Sequence, residues 1–167
     1  TAGAAPHLEK TLEMVRSIAA DDGLEFKLAV IPADIPRDFL KDMVAQGRTR
    51  SLGEIDELTE TTVDNASHIV GQMGVEAFIR AMKTGPDVII AGRACDTAVF
   101  AAVPSVLGYP MGPAMHMAKI IECNSICCVP GGRDAMLGTL DGDSFTLESM
   151  NPDRAATPLS VAAHSLY

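Results

Sequence analysis

Positive charge is scarce along this chain. Its 167 residues carry 13 lysines and arginines against 22 aspartates and glutamates, for a formal net charge of −9. The pI is near 4.7. A nucleic-acid surface needs a basic stripe, and none is present. Long apolar runs are also missing, since no stretch approaches the roughly 20 residues that span a membrane. The start lacks the basic region and apolar core of a secretory signal. Four cysteines (Cys95, Cys123, Cys127, Cys128) make no spaced disulfide framework, so a reducing compartment, the cytoplasm, is expected. There is no internal repeat and no low-complexity tract. What is present is 47% hydrophobic residues, enough for one domain with a substantial core.

A leading methionine is lacking too. TAGAAPH runs straight into an amphipathic helix over residues 6–20, with Leu8, Leu12, Val15, Ile18 and Ala19 near one face. At the far end SVAAHSLY starts a helical pattern at residue 160 and stops. The chain reads as incomplete at both ends. Processing that exposes Thr1 as an N-terminal nucleophile is the sharper alternative. It is disfavoured, because in such folds the threonine opens a strand and here a helix follows.

Between the ends the elements alternate. FKLAVI, residues 26–31, reads as a buried strand ended by Pro32 and Pro36, and residues 38–46 as a short helix closed by Gly47. Residues 48–62 are polar and acidic, a surface connection whose carboxylates form a solvated face rather than a metal cluster. Residues 67–71 are expected as a strand, 72–74 as a turn and 75–83 as a helix, stopped by Gly85. With the strand at 88–91 this makes a β-α-β unit with parallel strands. Gln72 and Gly74 in its turn are candidate ligand contacts, although Gly71 and Gly74 equally serve the turn alone.

The chain is organised around DVIIAGRACDT, residues 87–97. Val88–Ala91 is apolar and β-branched, suited to a strand buried on both faces. Gly92 breaks it, and a helix follows over residues 97–103, with Asp96 or Thr97 placed to cap it. Ligands of open α/β sheets sit beyond the carboxyl ends of strands. There Arg93 can grip a carboxylate or phosphate with two bonds, and N–H groups at the helix start favour negative charge. Gly92, Arg93, Asp96 and Thr97 are therefore candidate ligand-binding residues. The plainer alternative is an Arg93–Asp96 pair that only shapes the loop.

A helix beginning near Pro113 carries His116, Lys119 and Cys123 at steps of three and four, with Glu122 beside them. His116, Lys119 and Glu122 are the candidate acid–base set; a structural ion-pair patch is the alternative. A zinc site from His116, Cys123, Cys127 and Cys128 lacks the usual Cys-x2-Cys knuckle, so no metal is assigned. GGRDAMLG, residues 131–138, is a glycine-rich turn without the Lys-Ser/Thr ending of a P-loop. Residues 140–150 read as a hairpin around Asp141, Gly142 and Asp143. The expected fold is α/β, three-layered with a mostly parallel sheet and a later antiparallel hairpin. It forms a single domain segment over 1–167, with a β-α-β core to about 128 and then a loop, the hairpin and the start of a helix.

TAGAAPHLEKTLEMVRSIA, FKLAVI, VGQMGVEAFIRAM, PDVIIAGRACDTAVFAA, HMAKIIECNSI and NPDRAATPLSVAAHSLY together resemble the acyclic terpene utilisation protein A family. GRACDT and KIIEC make the resemblance specific. It departs at Pro86, where a family-like sequence has alanine. The resemblance implies a longer protein, with first strands upstream and a continuation downstream. It also implies work alongside enzymes that degrade branched or terpenoid acids as coenzyme A thioesters. It supplies no catalytic assignment, so His116, Lys119 and Glu122 rest on the residues alone.

Two function classes follow. One is an enzyme or enzyme subunit acting on a branched or terpenoid organic acid or its CoA thioester. The other is a non-catalytic small-molecule-binding or assembly module of the same pathway. No cofactor is indicated. The expected partners are an anionic organic acid or acyl-CoA, and either the rest of a longer chain or further copies in a homo-oligomer. Neither nucleic acid nor membrane is expected.

Overall fold

A computed structural model describes residues 2–166. The N-terminal nucleophile reading falls on Thr1, outside the described residues. In chain order the elements are α1 (Ala5–Asp21), β1 (Leu28–Ile31), α2 (Arg37–Ala45), α3 (Glu60–Asn65), α4 (Val75–Met82) and β2 (Val88–Ala91). There follow α5 (Asp96–Val106), α6 (Met111–Ile121), a 3-10 turn (Asn124–Cys127), β3 (Cys128–Val129), β4 (Met136–Asp141), β5 (Ser144–Ser149), β6 (Ala155–Ala156) and α7 (Pro158–Ser165). The fold is mixed α/β. It divides into two compact units: the chain up to Met73 with Pro86–Ala94, and Gly74–Gly85 with the chain from Cys95 onward.

In the first unit β1 and β2 pair in parallel, Leu28 opposite Val88 through Ile31 opposite Ala91. They are half-buried rather than covered on both faces, and Val30 is 40% exposed. Their two-stranded sheet is too narrow to enclose them. Residues 67–71 do not form the expected strand. They make a single antiparallel bridge, Asp34 to Val70, flanked by Ile35 N–H to Ile69 O and Gly71 N–H to Ala33 O. Ser67, His68 and Gly71 are poor strand formers, and two apolar residues between them are too few to propagate a ladder. The strand partner of β2 is therefore β1.

Helix α1 buries Leu8 and Ala19, but Ile18 of the expected face is 56% exposed. At about 100° per residue it points roughly 80° away from Leu8, off the centre of the stripe. Lacking a side-chain cap at Ala4, α1 receives Asp34 Oδ1 on the Ala5 N–H at 3.2 Å. The acidic connection contains α3, which periodicity does not reveal because the helix is only six residues long. Thr59 starts it by accepting from Thr62 N–H. Arg37 on α2 donates to the carbonyls of Val63, Asp64 and Ala66, satisfying groups at its end. Lys41 pairs with Asp64 at 2.5 Å.

In the second unit α5 packs along α6. Ala98, Ala101 and Ala102 are buried on α5, as are Ala114 and Ala118 on α6, small side chains that allow close approach. The hairpin forms with a two-residue turn at Gly142 and Asp143, and its side chains alternate inward and outward. Its first strand starts earlier than expected. Met136, Leu137 and Gly138 belong to β4, so the glycine-rich turn is shorter than eight residues. A Cβ on Gly138 would lie 2.8 Å from Met117 Sδ, so that side chain would have to shift to admit one. Ile120, Cys127 and Cys128 form a core with Met136, Phe145, Leu147, Ala156 and Val161 against them. Helix α7 begins at Pro158, two residues before its expected start, because Thr157 and Ser160 form a reciprocal capping box.

Candidate functional site

In the first unit the loop after β2 is tightly bound to its neighbours. Gly92 donates to Ile31 O and Arg93 N–H to Gly3 O. A Cβ on Gly92 would meet Ala33 Cβ at 2.7 Å and Gly3 O at 2.8 Å, so glycine is required here by backbone approach. Arg93 is half-buried. Its guanidinium turns back on the chain, with Nε donating to Ala94 O at 2.8 Å and one Nη to the same oxygen. Gln72 is exposed beside Met73, whose N–H reaches Arg93 O at 3.3 Å.

Asp96 and Thr97 belong to the second unit. Neither caps α5 as expected. Cys95 holds the N-cap position without a side-chain bond, and both residues lie inside the first turn, Asp96 exposed and Thr97 buried. An acid in that turn still complements the helix dipole. Gly74 is the N-cap of α4, where a Cβ would sit 2.6 Å from Glu76 Oε2. A cavity of about 300 Å³ touches it, lined by Gly74, Val75, Glu76, Cys95, Ala98, Met111 and Met115.

The second half of α6 and the turn after it make a more polar arrangement. Lys119 Nζ lies 3.1 Å from Glu122 Oε1, and the Glu122 side chain is only 14% exposed. Burial raises the Cys123 thiol above its ordinary range, and its hydrogen bond to the Glu122 carboxylate adds to the effect. His116 is directed elsewhere. Its Nε2 is 3.2 Å from Ser165 Oγ, and its ring meets Phe145 edge-on at 5.2 Å. Beside Cys123 opens a cavity of about 440 Å³, lined also by Ile126, Ser160, Ala163 and His164. His164 is 8% exposed and was missed by sequence reasoning, as was Ser160. Their spacing of four on α7 was the available signal, since it puts them on one helix face. Among the described residues no three His, Cys, Asp or Glu side chains gather as a metal-binding group, so the four zinc candidates do not form one. Nor is any helix among them long and apolar enough to cross a membrane.

Residues 2–132 match the model of the acyclic terpene utilisation family protein AtuA. The chain belongs to that family. No curated protein and no solved structure matches it. The family match takes in the loop after β2 and the whole of α6. Ser160 and His164 lie beyond it.

The AtuA-family chain carries a second polar cluster in the same unit. Asp134 accepts from Ser125 Oγ at 3.3 Å and from Asn151 Nδ2 at 3.2 Å, and meets Arg154 Nε at 2.5 Å. Its own N–H donates to Ser125 Oγ at 2.9 Å. Arg154 further donates to the carbonyls of Pro130 and Gly131. The Asn151 hydrogen bond, together with Arg154, holds the Asp134 carboxyl below its usual range. Gly132 leaves room for the guanidinium, since a Cβ there would lie 2.5 Å from Arg154 Cζ. Every member bonds another member or the adjoining backbone. The cluster ties the loop before β4 to the chain after β5.

Proposed function

We propose that this acyclic terpene utilisation protein is an enzyme, or a subunit of one, acting on a branched or terpenoid organic acid or its CoA thioester. The observation that carries the reading is the carboxylate of Glu122, largely buried, bonded to Lys119 and Cys123 where the α6 turn borders the 440 Å³ cavity. Ile126 and Ala163 give that cavity an apolar lining suited to a hydrocarbon chain, with Ser160 and His164 as its polar wall. Glu122 is the proton acceptor and Lys119 steadies the charge that develops, while His116, bonded to Ser165 instead of to that pair, is a separate candidate for proton transfer. Within the first unit Arg93 is an anion-contacting residue that exchanges the Ala94 carbonyl for a carboxylate or phosphate, with Gln72 and Gly92 beside it, and within the second unit Gly74, Asp96 and Thr97 are further ligand contacts.

The proposal places the protein in the cytoplasm, where its four free cysteines stay reduced. It includes a three-layer arrangement, and packing against further polypeptide of a longer chain or another copy. The exposed apolar side of α5, with Phe100, Val103 and Leu107, supports such packing. That same surface favours the second reading, a binding or assembly module without chemistry.

Thermal-shift screening of the full-length protein against free acids and acyl-CoA thioesters, followed by turnover assays on the stabilising compounds, separates the two. Turnover that falls about 10²–10⁴-fold in Glu122→Gln is the expected result for a lost proton acceptor. Stabilisation without turnover assigns the module instead.

A further inference from the structure

The longest interval without an Asp, Glu, Lys or Arg runs from Thr97 to Ala118, through nearly all of α5 and most of α6. In a chain of net charge −9, that interval stands apart. The buried residues of α5, Thr97, Ala98, Ala101 and Ala102, lie on one side of the helix. At about 100° per residue, Val99, Phe100, Val103, Val106 and Leu107 fall on the opposite side, within about 120° of one another. These five are between 38% and 69% exposed. A helix that is apolar all round belongs in a core, yet this one turns an apolar side to solvent.

We propose that this side of α5 is the contact between two copies of the chain, packed antiparallel about a two-fold axis near Val103. It rests on the packing proposed for this protein and names the partner. Charge and area both favour a second copy. An identical acidic partner is repelled wherever carboxylates meet, and this face carries only one, Asp96 at its start. Antiparallel packing sets Val103 against its mate, Phe100 against Val106 and Val99 against Leu107, each contact made twice. The two Asp96 side chains then stand at opposite ends, roughly 20 Å apart along the helices and beyond the Debye length of about 8 Å. A parallel pair would place them side by side. The combined exposure of the five residues equals about two and a half whole side chains, or roughly 400 Å² at about 150 Å² each. A stable homodimer buries about 800 Å² per partner, some 65% of it apolar, so roughly 500 Å² of such surface is needed. Tyr109, next along the chain and also exposed, adds to it.

The test is sedimentation equilibrium of the full-length protein, with alkylation of Leu107→Cys, mapped by peptide mass, as a second readout. The expected result is a dimer in which position 107 reacts slowly. Val103→Lys sets two like charges on the axis and should weaken the dimer at least about a hundredfold. Leu52→Lys, on the acidic connection of the first unit, should leave it intact. Leu107→Lys, at the most exposed of the five positions, carries the test if the Val103 variant fails to fold. A dimer with fast alkylation, or one that survives either folded lysine variant, overturns the assignment of this face. A monomer with slow alkylation also overturns it, and leaves the rest of a longer chain as the cover. A monomer with fast alkylation overturns the proposed packing as well.

Discussion

Asp134 and Glu122 each hold a cation in the second unit, yet they are built for different ends. Asp134 faces Arg154, Asn151 and Ser125, and Arg154 continues to two backbone carbonyls. Those partners come from both flanks of the hairpin, so the cluster fixes tertiary structure. Glu122 meets a lysine three residues away on its own helix turn and the thiol next to it, and that thiol lines a cavity. A pair so local adds little to the fold, because i,i+3 pairs stabilise a helix by only about 0.2–0.5 kcal/mol. The difference teaches that ionic pairing alone does not mark a functional site. The reach of its partners through the chain, and whether space lies beside it, separate the clamp from the candidate site.

The sharpest way to break this comparison is Ser125→Ala. Ser125 is fully buried, and its Oγ both accepts from Asp134 N–H and donates to the Asp134 carboxylate. Removing the hydroxyl strands a backbone donor, at a cost of about 1–3 kcal/mol. For a chain of this size each kcal/mol lowers Tm by about 2–4 °C. Calorimetry that finds the variant within error of the wild type would mean that the cluster is not a clamp.

The second prediction uses pH. The Asp134 carboxyl is lowered in the folded state by Asn151 and Arg154 from an ordinary value of 3.8. Folding therefore favours its ionised form. That stabilisation is present above pH 3.8 and fades as pH falls through the lowered folded value. Asp134→Asn should be less stable than the wild type at neutral pH, and urea midpoints of the two should converge as the solution is acidified below 3.8. A gap that stays constant would assign the Asp134 contribution to shape rather than charge.

Much of the fold was legible because its cues are local. The presence of helices α1, α4 and α6, and the turn at Gly142 and Asp143, follow from periodicity and turn residues. What escaped depends on contacts made at a distance. Arg154 lies twenty positions from Asp134, beyond the hairpin that brings the two together. The failure at residues 67–71 is similar, since their apolar pair reads as a strand until its lone bridge to Asp34 is seen. Of the candidate site, Lys119 and Glu122 were readable from helical spacing, whereas His164 joins the cavity wall by the packing of α7 on the α6 turn. Arg93 was legible as a residue at a strand end. Its return to the Ala94 carbonyl was not, because a long side chain can reach either its own backbone or a ligand.

A third prediction sharpens the other side of the comparison. Glu122→Gln keeps the shape and a hydrogen-bond acceptor for the Cys123 thiol while removing the charge that attracts Lys119. Its unfolding free energy should change by less than about 1 kcal/mol, in the range of partly exposed ion pairs. Alkylation of Cys123 offers a second readout. The carboxylate helps to raise that thiol, so neutralising it should let Cys123 react at lower pH than in the wild type. Unchanged reactivity across the alkaline range would detach the carboxylate from the thiol.

An effect of similar size is expected for Lys119→Gln. Lys119 sits in the last turn of α6, where a cation complements the carbonyl end of the helix. It also pairs with Glu122 at 3.1 Å, with its side chain 32% exposed. Losing both contributions should cost about 0.5–1 kcal/mol, summing a modest dipole term and an i,i+3 pair. Because the lysine is partly in water, added salt should shrink the difference. Chemical denaturation at low and high ionic strength measures it directly. A salt-independent loss above about 2 kcal/mol would place Lys119 in the same class as the Asp134 clamp, and the contrast between the two pairs would fail.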